Sequence, residues 1–169
     1  EEKLKQLKEA GVSMYHENIE TSEENFPNVC TTHSFEDKIH EIKRIQEAGL
    51  ELCTGGIVGM GETWKDRLSM AFTLAELGIR SIPINILIPV KGTPFGELGP
   101  MTQEDILRTV AILRYINPKA DVRIAAGRTV FVRYQCRTDR KSSDNRWKQY
   151  GAGQKHFRGK RIYFEKETN

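Results

Sequence analysis

A cysteine and a run of glycines stand together in the middle of the chain. Cys53 precedes residues 55–61, which read GGIVGMG. Glycines at such a turn let a ligand approach the backbone, and a thiol facing a barrel lumen can ligate iron. The alternatives are a buried packing cysteine and a glycine-rich turn without a ligand. The run is not GxGxxG and no P-loop lysine follows, so binding of nucleotide phosphates is unsupported.

Four polar side chains occur in or beside predicted strands. Asn18 and Glu20 alternate along one strand and share a face, where they can bracket a diol such as a ribose; a solvated strand end is the alternative. Asn85 interrupts the apolar run 82–88 and needs partners, because an unsatisfied buried amide costs about 1–3 kcal/mol. It is either a substrate contact, which we favour, or a structural hydrogen bonder. Arg123, if buried, must be paired, and a salt bridge is the simplest expectation.

Hydrophobic periodicity predicts the elements that position these residues. Strands are predicted at residues 12–19, 50–58, 79–90 and 122–126, and the third is apolar enough to be covered on both faces. Helices alternate with them, and a loop is predicted around Pro27. Three pairs have N-cap spacing, and they are Ser34 with Asp37, Thr63 with Asp66, and Thr102 with Asp105. The helix after Thr63 is expected to bury Leu68, Ala71, Phe72, Leu74 and Leu77.

Four strand–helix units in alternation predict an α/β fold with a parallel sheet. The fold class is therefore part of a (β/α)8 TIM-type barrel, or a doubly wound sheet. In such barrels functional residues collect at the carboxyl ends of strands and in the loops that follow. The residues singled out above fall in or near these places.

The charge changes sign near residue 128. Residues 1–127 carry a net charge of −5, and residues 128–169 carry +8. This predicts a boundary between a domain at 1–128 and a basic tail at 129–169. No apolar run approaches the roughly 20 residues of a membrane span, so no membrane association is expected. The three cysteines form no CxxC pair, which favours a reducing, cytoplasmic setting.

Several short blocks, in order, resemble the biotin synthase family of the radical S-adenosylmethionine (SAM) superfamily. They are residues 15–22 (YHENIETS), 30–33 (CTTH), 53–63 (CTGGIVGMGET), 83–85 (PIN), 91–94 (KGTP) and 123–128 (RIAAGR). The resemblance covers residues 1 to about 128. The Cys-Gly-Gly and Ala-Gly-Arg blocks favour this family over radical enzymes of hydrogenase maturation or pyrrolysine synthesis.

The resemblance implies an enzyme, a sulfurtransferase that converts dethiobiotin to biotin. In that family a 4Fe-4S cluster cleaves SAM to a 5′-deoxyadenosyl radical, which abstracts hydrogens from dethiobiotin. A second iron–sulfur cluster, 2Fe-2S in most members, supplies the sulfur. The family implies a homodimer, and an electron donor such as flavodoxin or ferredoxin. Nucleic acid is not an expected partner.

The resemblance also assigns roles to particular residues. Asn18, Glu20, Ile57, Gly59 and Ile88 would bind SAM, the first two through its ribose and the two isoleucines through its adenine. Glu20 stands where many members have aspartate. The dethiobiotin contacts would be Asn85 and His16, the latter in place of an asparagine, and the second-cluster ligands would be Cys53 and Arg123. No catalytic residue is assigned.

The CxxxCxxC loop that holds the 4Fe-4S cluster in this family does not occur in the chain. The chain is therefore expected to be a C-terminal part that does not cleave SAM alone, and half a barrel with open sheet edges is expected to be marginally stable. One alternative is an inactive half-barrel or pseudogene product. Another is a different radical SAM enzyme with the same ribose and adenine contacts.

The basic tail lacks apolar periodicity. A tail with interspersed aromatic residues could bind nucleic acid, although a poorly ordered segment is the stronger expectation. The hypothesis favoured here is a frameshifted reading, because codons shifted by one base over residues 140–147 can spell a family-like Ala-Asn…Gly stretch.

Overall fold

A computed structural model describes residues 2–128, 155–157 and 160–162. The first of these segments begins with a helix and then alternates strands and helices, and the other two are single strands. The elements, in chain order, are α1 (Glu2–Glu9), β1 (Met14–His16), α2 (Phe26–Val29), α3 (Phe35–Glu47), β2 (Glu51–Cys53), β3 (Gly56–Val58), α4 (Trp64–Glu76), β4 (Ser81–Ile86), α5 (Gln103–Ile116), β5 (Asp121–Ala126), β6 (Lys155–Phe157) and β7 (Lys160–Ile162).

The three predicted N-caps are confirmed. Ser34 and Asp37 form a capping box at the start of α3, in which each side chain bonds the other residue's amide. Thr63 and Asp66 form the same arrangement at the start of α4. At α5 the Thr102 hydroxyl accepts a hydrogen bond from the amide three residues on. Each cap satisfies backbone donors that have no partner inside the helix.

The strands of residues 2–128 form one parallel sheet, which confirms the predicted α/β class. β1 pairs with β2, both β2 and β3 pair with β4, and β4 pairs with β5. The predicted strand 50–58 is broken at Thr54 and Gly55. A Cβ on Gly55 would lie 1.7 Å from the Pro83 carbonyl oxygen, so the chain passes β4 too closely for any other residue. This contact occurs where the strand is interrupted.

β4 separates a core face from an open face. Ile82, Ile84 and Ile86 are buried in the hydrophobic core with residues of α3, α4 and α5. Side chains alternate along a strand, so Ser81 and Asn85 point to the opposite face, away from that core. Asn85, one of the predicted site residues, therefore lies on the sheet face that the helices leave open.

The predicted third strand, 79–90, extends too far. β4 ends at Ile86, and the side chains of Ile88 and Val90 are 49% and 60% exposed. The run was expected to be covered on both faces, but its last residues leave the sheet for a loop that contains Pro89. A short helix, α2, also replaces the loop expected around Pro27.

The buried face of α4 was predicted only in part. Ala71 and Leu74 are buried as expected, and Met70 joins them. Leu68 and Phe72 are instead 38% and 54% exposed. Apolar residues occur on two adjacent faces of this helix, and periodicity alone does not determine which face packs on the sheet.

The predicted boundary at residue 128 remains a proposal. Beyond it the structure describes an antiparallel pair, β6 with β7, in which Lys155 is in register with Ile162. The segment 140–147, on which the frameshift hypothesis depends, lies outside the described residues. Among the helices of the described residues, none is both long and apolar enough to cross a membrane.

Candidate functional site

Cys53 and Arg123 meet on the open face of the sheet. Arg123 Nη2 donates to Cys53 Sγ at 2.9 Å, and Arg123 Nη1 donates to Ser81 Oγ at 2.8 Å. The salt bridge expected for Arg123 is therefore replaced, in the described part of the chain, by contacts with a thiol and a hydroxyl. Arg123 Nε is buried without a hydrogen-bond partner there. A buried donor without a partner is costly, so a ligand that accepts a hydrogen bond from it would be stabilised there.

Strand register brings further predicted residues to the same face. His16 is in register with Cys53, and Cys53 with Ser81. On the neighbouring pair of strands, Ile57 of β3 is in register with Asn85 of β4. Neighbours in a parallel sheet point to the same side, so these side chains form one surface with Arg123. His16 is exposed, and Ile57 and Asn85 are half-buried.

Glu20 occupies a tight turn beyond β1. The Thr21 amide donates to the Ile19 carbonyl at 2.9 Å, and Glu20 between them has φ = 66°. This is the geometry of a γ-turn, and a non-glycine residue with positive φ is strained. The Glu20 carbonyl accepts a hydrogen bond from the Ile57 amide at 2.7 Å. Strain of this kind concentrates at binding sites, where surrounding contacts hold it in place.

Asn18 differs from its prediction. It was expected to share a regular strand face with Glu20, but β1 ends at His16. The Asn18 Oδ1 atom accepts a hydrogen bond from the Gly55 amide at 3.1 Å. The oxygen thus holds the turn that follows β2, and the NH2 group, which has no hydrogen-bond partner among the described residues, can donate to a ligand.

The carboxyl group of Glu20 lies in a mixed electrostatic environment. Burial raises its pKa above the ordinary value, and the nearby Lys38 ammonium partly opposes this shift. Lys38, on α3, is paired with Glu17. Within residues 2–128 the Glu20 carboxylate accepts no hydrogen bond, so its oxygens are free to accept bonds from a ligand's hydroxyl groups.

Glu62 is a site residue that the sequence reasoning missed. Its carboxylate accepts from the Gly59 amide at 2.8 Å and from the Met60 amide at 2.7 Å, and Arg67 Nε donates to it at 2.8 Å. It therefore fixes the glycine-rich turn, in which Gly59 has φ = 95°. The available signal was a carboxylate directly after a turn whose amides need acceptors, with an arginine five residues later.

Two further predicted or candidate residues lie apart from this surface. Ile88 is two residues beyond the end of β4 and is half-exposed. Cys30 lies beside Thr32 and His33, with Sγ 3.4 Å from His33 Nδ1. A hydrogen bond from Thr32 lowers the pKa of the Cys30 thiol. The described residues contain no group of three or more His, Cys, Asp or Glu side chains arranged to hold a metal ion.

Comparison with known families gives two matches. Residues 1–74 match the radical SAM superfamily. Residues 83–136 match the biotin and thiamin synthesis associated domain, and this match runs past the boundary predicted at residue 128. The first match ends within α4 and the second begins within β4. The residues of the open face therefore come from both matched segments, with Cys53 in the first and Arg123 in the second.

Curated relatives are similar over most of this chain. It is 64% identical over 131 residues to biotin synthase of Clostridium beijerinckii, a match that covers 78% of this chain and 42% of the relative. It is 62% identical over 130 residues to biotin synthase of Alkaliphilus metalliredigens, covering 77% and 41%. The chain thus spans about two-fifths of the length of these relatives.

Solved structures show the same fold at low sequence identity. Methylornithine synthase is similar with a TM-score of 0.64 at 17% identity, over 71% of this chain and 36% of that one. A maturase of FeFe-hydrogenase is similar with a TM-score of 0.59 at 20% identity, over 73% and 30%. These similarities support the partial barrel.

Proposed function

We propose that this chain, a member of the biotin synthase family in the radical SAM superfamily, binds SAM and dethiobiotin on the open face of its sheet. The chain spans about two-fifths of the length of its relatives. The sulfur insertion that converts dethiobiotin to biotin is therefore proposed only for a barrel that also contains the remaining cluster ligands. The proposal includes, as the family implies, a 2Fe-2S second cluster, a flavodoxin or ferredoxin as electron donor, a homodimer and a cytoplasmic location.

The contact between Arg123 and Cys53 is the observation that carries the proposal. A thiol and a guanidinium meet at 2.9 Å on a face without helices, and Arg123 Nε has no partner in the described residues. Cys53 fits one of the four ligands of an iron–sulfur cluster, since cysteine sulfur is the usual ligand of such clusters. Arg123, which contacts that sulfur, is proposed as a second ligand because the family resemblance assigns it this role. Ser81 fixes the guanidinium from the other side. When bound, such a cluster would supply the sulfur atom.

The SAM contacts follow from the two turns beside β3. The Glu20 carboxylate can accept hydrogen bonds from both ribose hydroxyls, and the Asn18 NH2 group can donate to them. Ile57 is half-buried and offers an apolar surface to the adenine ring. Gly59 lies in the turn that Glu62 holds. Ile88, beyond β4, is proposed as the second apolar contact.

Asn85 is the proposed contact for dethiobiotin. Its amide lies on the same face as Arg123, in register with Ile57, and therefore between the proposed SAM and cluster regions. An amide can donate to and accept from the ureido ring of dethiobiotin at the same time. His16, exposed and in register with Cys53, is the second proposed contact.

Equilibrium dialysis of the 169-residue chain with labelled SAM and labelled dethiobiotin tests the proposal. The wild-type chain should bind both. Asn85→Ala should weaken dethiobiotin binding about tenfold or more, because a buried polar group of the ligand loses its partner, and it should leave SAM binding unchanged. Gln6→Ala, at an exposed position of α1, is the matched control and should change neither.

Each other outcome points to a specific alternative. Dethiobiotin binding that survives Asn85→Ala unchanged would contradict the biotin assignment and favour another radical SAM substrate. A folded chain that binds neither ligand would favour the inactive half-barrel.

A further inference from the structure

The strained turn at Glu20 is followed by two fully buried polar residues. Thr21 and Ser22 are 1% and 0% exposed. Asn25 is the hydrogen-bond partner of both. Its side-chain Nδ2 donates to Thr21 Oγ1 at 3.0 Å, and its backbone N–H donates to Ser22 Oγ at 3.1 Å. The segment after Glu20 is therefore closed on itself by side-chain hydrogen bonds, which restrict the conformations open to the turn.

Ser22 also connects this turn to a helix far away in the sequence. Its Oγ donates to Asp66 Oδ1 at 2.7 Å, across 44 residues. The other carboxylate oxygen of Asp66 accepts from the Thr63 amide at 2.7 Å and from its hydroxyl at 2.6 Å. One carboxylate thus ties the Glu20 turn to the first turn of α4, directly after the segment that Glu62 holds.

We propose that Ser22 and Asp66 form a positioning pair that holds Glu20 in its left-handed conformation for binding the ribose of SAM. The proposal rests on the proposed function, in which Glu20 contacts the ribose. A positive φ at glutamate is unfavourable in isolation. The buried hydrogen bond at Ser22 is anchored on α4, so the pair maintains the turn before SAM arrives and fixes its distance from the adenine side of the site.

SAM affinity of the 169-residue chain, measured by equilibrium dialysis, tests the pair. Ser22→Ala should weaken SAM binding about tenfold, the lower end of the loss in affinity at metal sites when a residue that orients a ligating side chain is removed. Asp66→Asn serves as the second variant and should weaken SAM in the same way, because an amide is a poorer acceptor for the Ser22 hydroxyl than a carboxylate. Circular dichroism checks that each variant folds.

A double-mutant cycle separates positioning from a general structural role. If Ser22 acts through Glu20, the variant with both Ser22→Ala and Glu20→Ala should bind SAM no more weakly than Glu20→Ala alone. Additive losses would overturn the proposal. The matched control is Glu24→Gln. Like Ser22, Glu24 connects the segment after the Glu20 turn to α4, but it does so through exposed contacts with Lys65 and Ser69. It should leave the affinity unchanged.

The outcomes distinguish this proposal from the one on which it rests. Failure of the wild-type chain to bind SAM, or an unchanged affinity after Glu20→Ala, would contradict the ribose role of Glu20. A clear loss with Glu20→Ala, but none with folded Ser22→Ala and Asp66→Asn, would instead overturn only the positioning pair.

Discussion

Replacing Glu62 by glutamine should destabilise the chain strongly, although the two side chains have nearly the same shape. The Glu62 and Arg67 side chains are 2% and 10% exposed, and the carboxylate also accepts from two amides of the glycine-rich turn. Removing one partner of a buried ion pair costs about 3–5 kcal/mol. Glutamine keeps one acceptor oxygen but turns an NH2 group toward an amide donor, so we expect Glu62→Gln to cost about 2–3 kcal/mol.

Urea unfolding followed by far-ultraviolet circular dichroism measures this loss. Glu104→Gln is the matched control, because Glu104 forms an ion pair with Arg108 on the exposed side of α5. Both side chains there are more than half exposed, so the control should change stability by less than about 0.5 kcal/mol. A Glu62→Gln variant within that same margin of the wild type would refute the view that the carboxylate holds the turn.

Two further substitutions test the backbone and the electrostatics of the site. Burial raises the pKa of Glu20, so its ionisation destabilises the fold above the raised folded value and has no effect below the ordinary carboxyl pKa. Glu20→Gln should therefore raise the urea midpoint at pH 7, and the gain should vanish toward pH 4; a constant gain at both pH values would contradict this. Gly55→Ala should cost more than about 3 kcal/mol, because its Cβ would lie 1.7 Å from the Pro83 carbonyl oxygen, whereas Gly99→Ala, with open space around it, should be nearly neutral in the same assay.

Local signals in the sequence were sufficient for the helix starts. Ser34 and Thr63 were predicted as caps, and both are confirmed, because a cap involves a side chain and an amide only three residues apart. The alternation of strands and helices likewise predicted the parallel sheet. The break at Thr54 and Gly55 was not predicted, since it depends on the approach of β4, about 30 residues later in the chain.

The site depends on contacts that no local pattern contains. Cys53 and Arg123 are 70 residues apart, and only the family resemblance placed them together before the structure showed their contact. Glu62 was missed because two of its partners, the Gly59 and Met60 amides, are backbone groups, which every sequence has. Phe72 was placed in the core because its spacing fits a helix face, whereas α4 buries the neighbouring face with Met70, Ala71 and Leu74.

Gly55 explains why the proposed cofactor and substrate residues lie so close together. Its amide donates to Asn18 Oδ1, and its carbonyl accepts from the Ile19 amide, so it holds the segment that leads to the Glu20 turn. On the other side its missing Cβ admits the Pro83 carbonyl oxygen, two residues before Asn85. Gly55 thus connects three segments of the proposed site, namely the Glu20 turn, strand β2 with Cys53, and strand β4 with Asn85. The glycine run begins here because three backbone segments meet where a Cβ would separate them, and the site's geometry follows from that close approach.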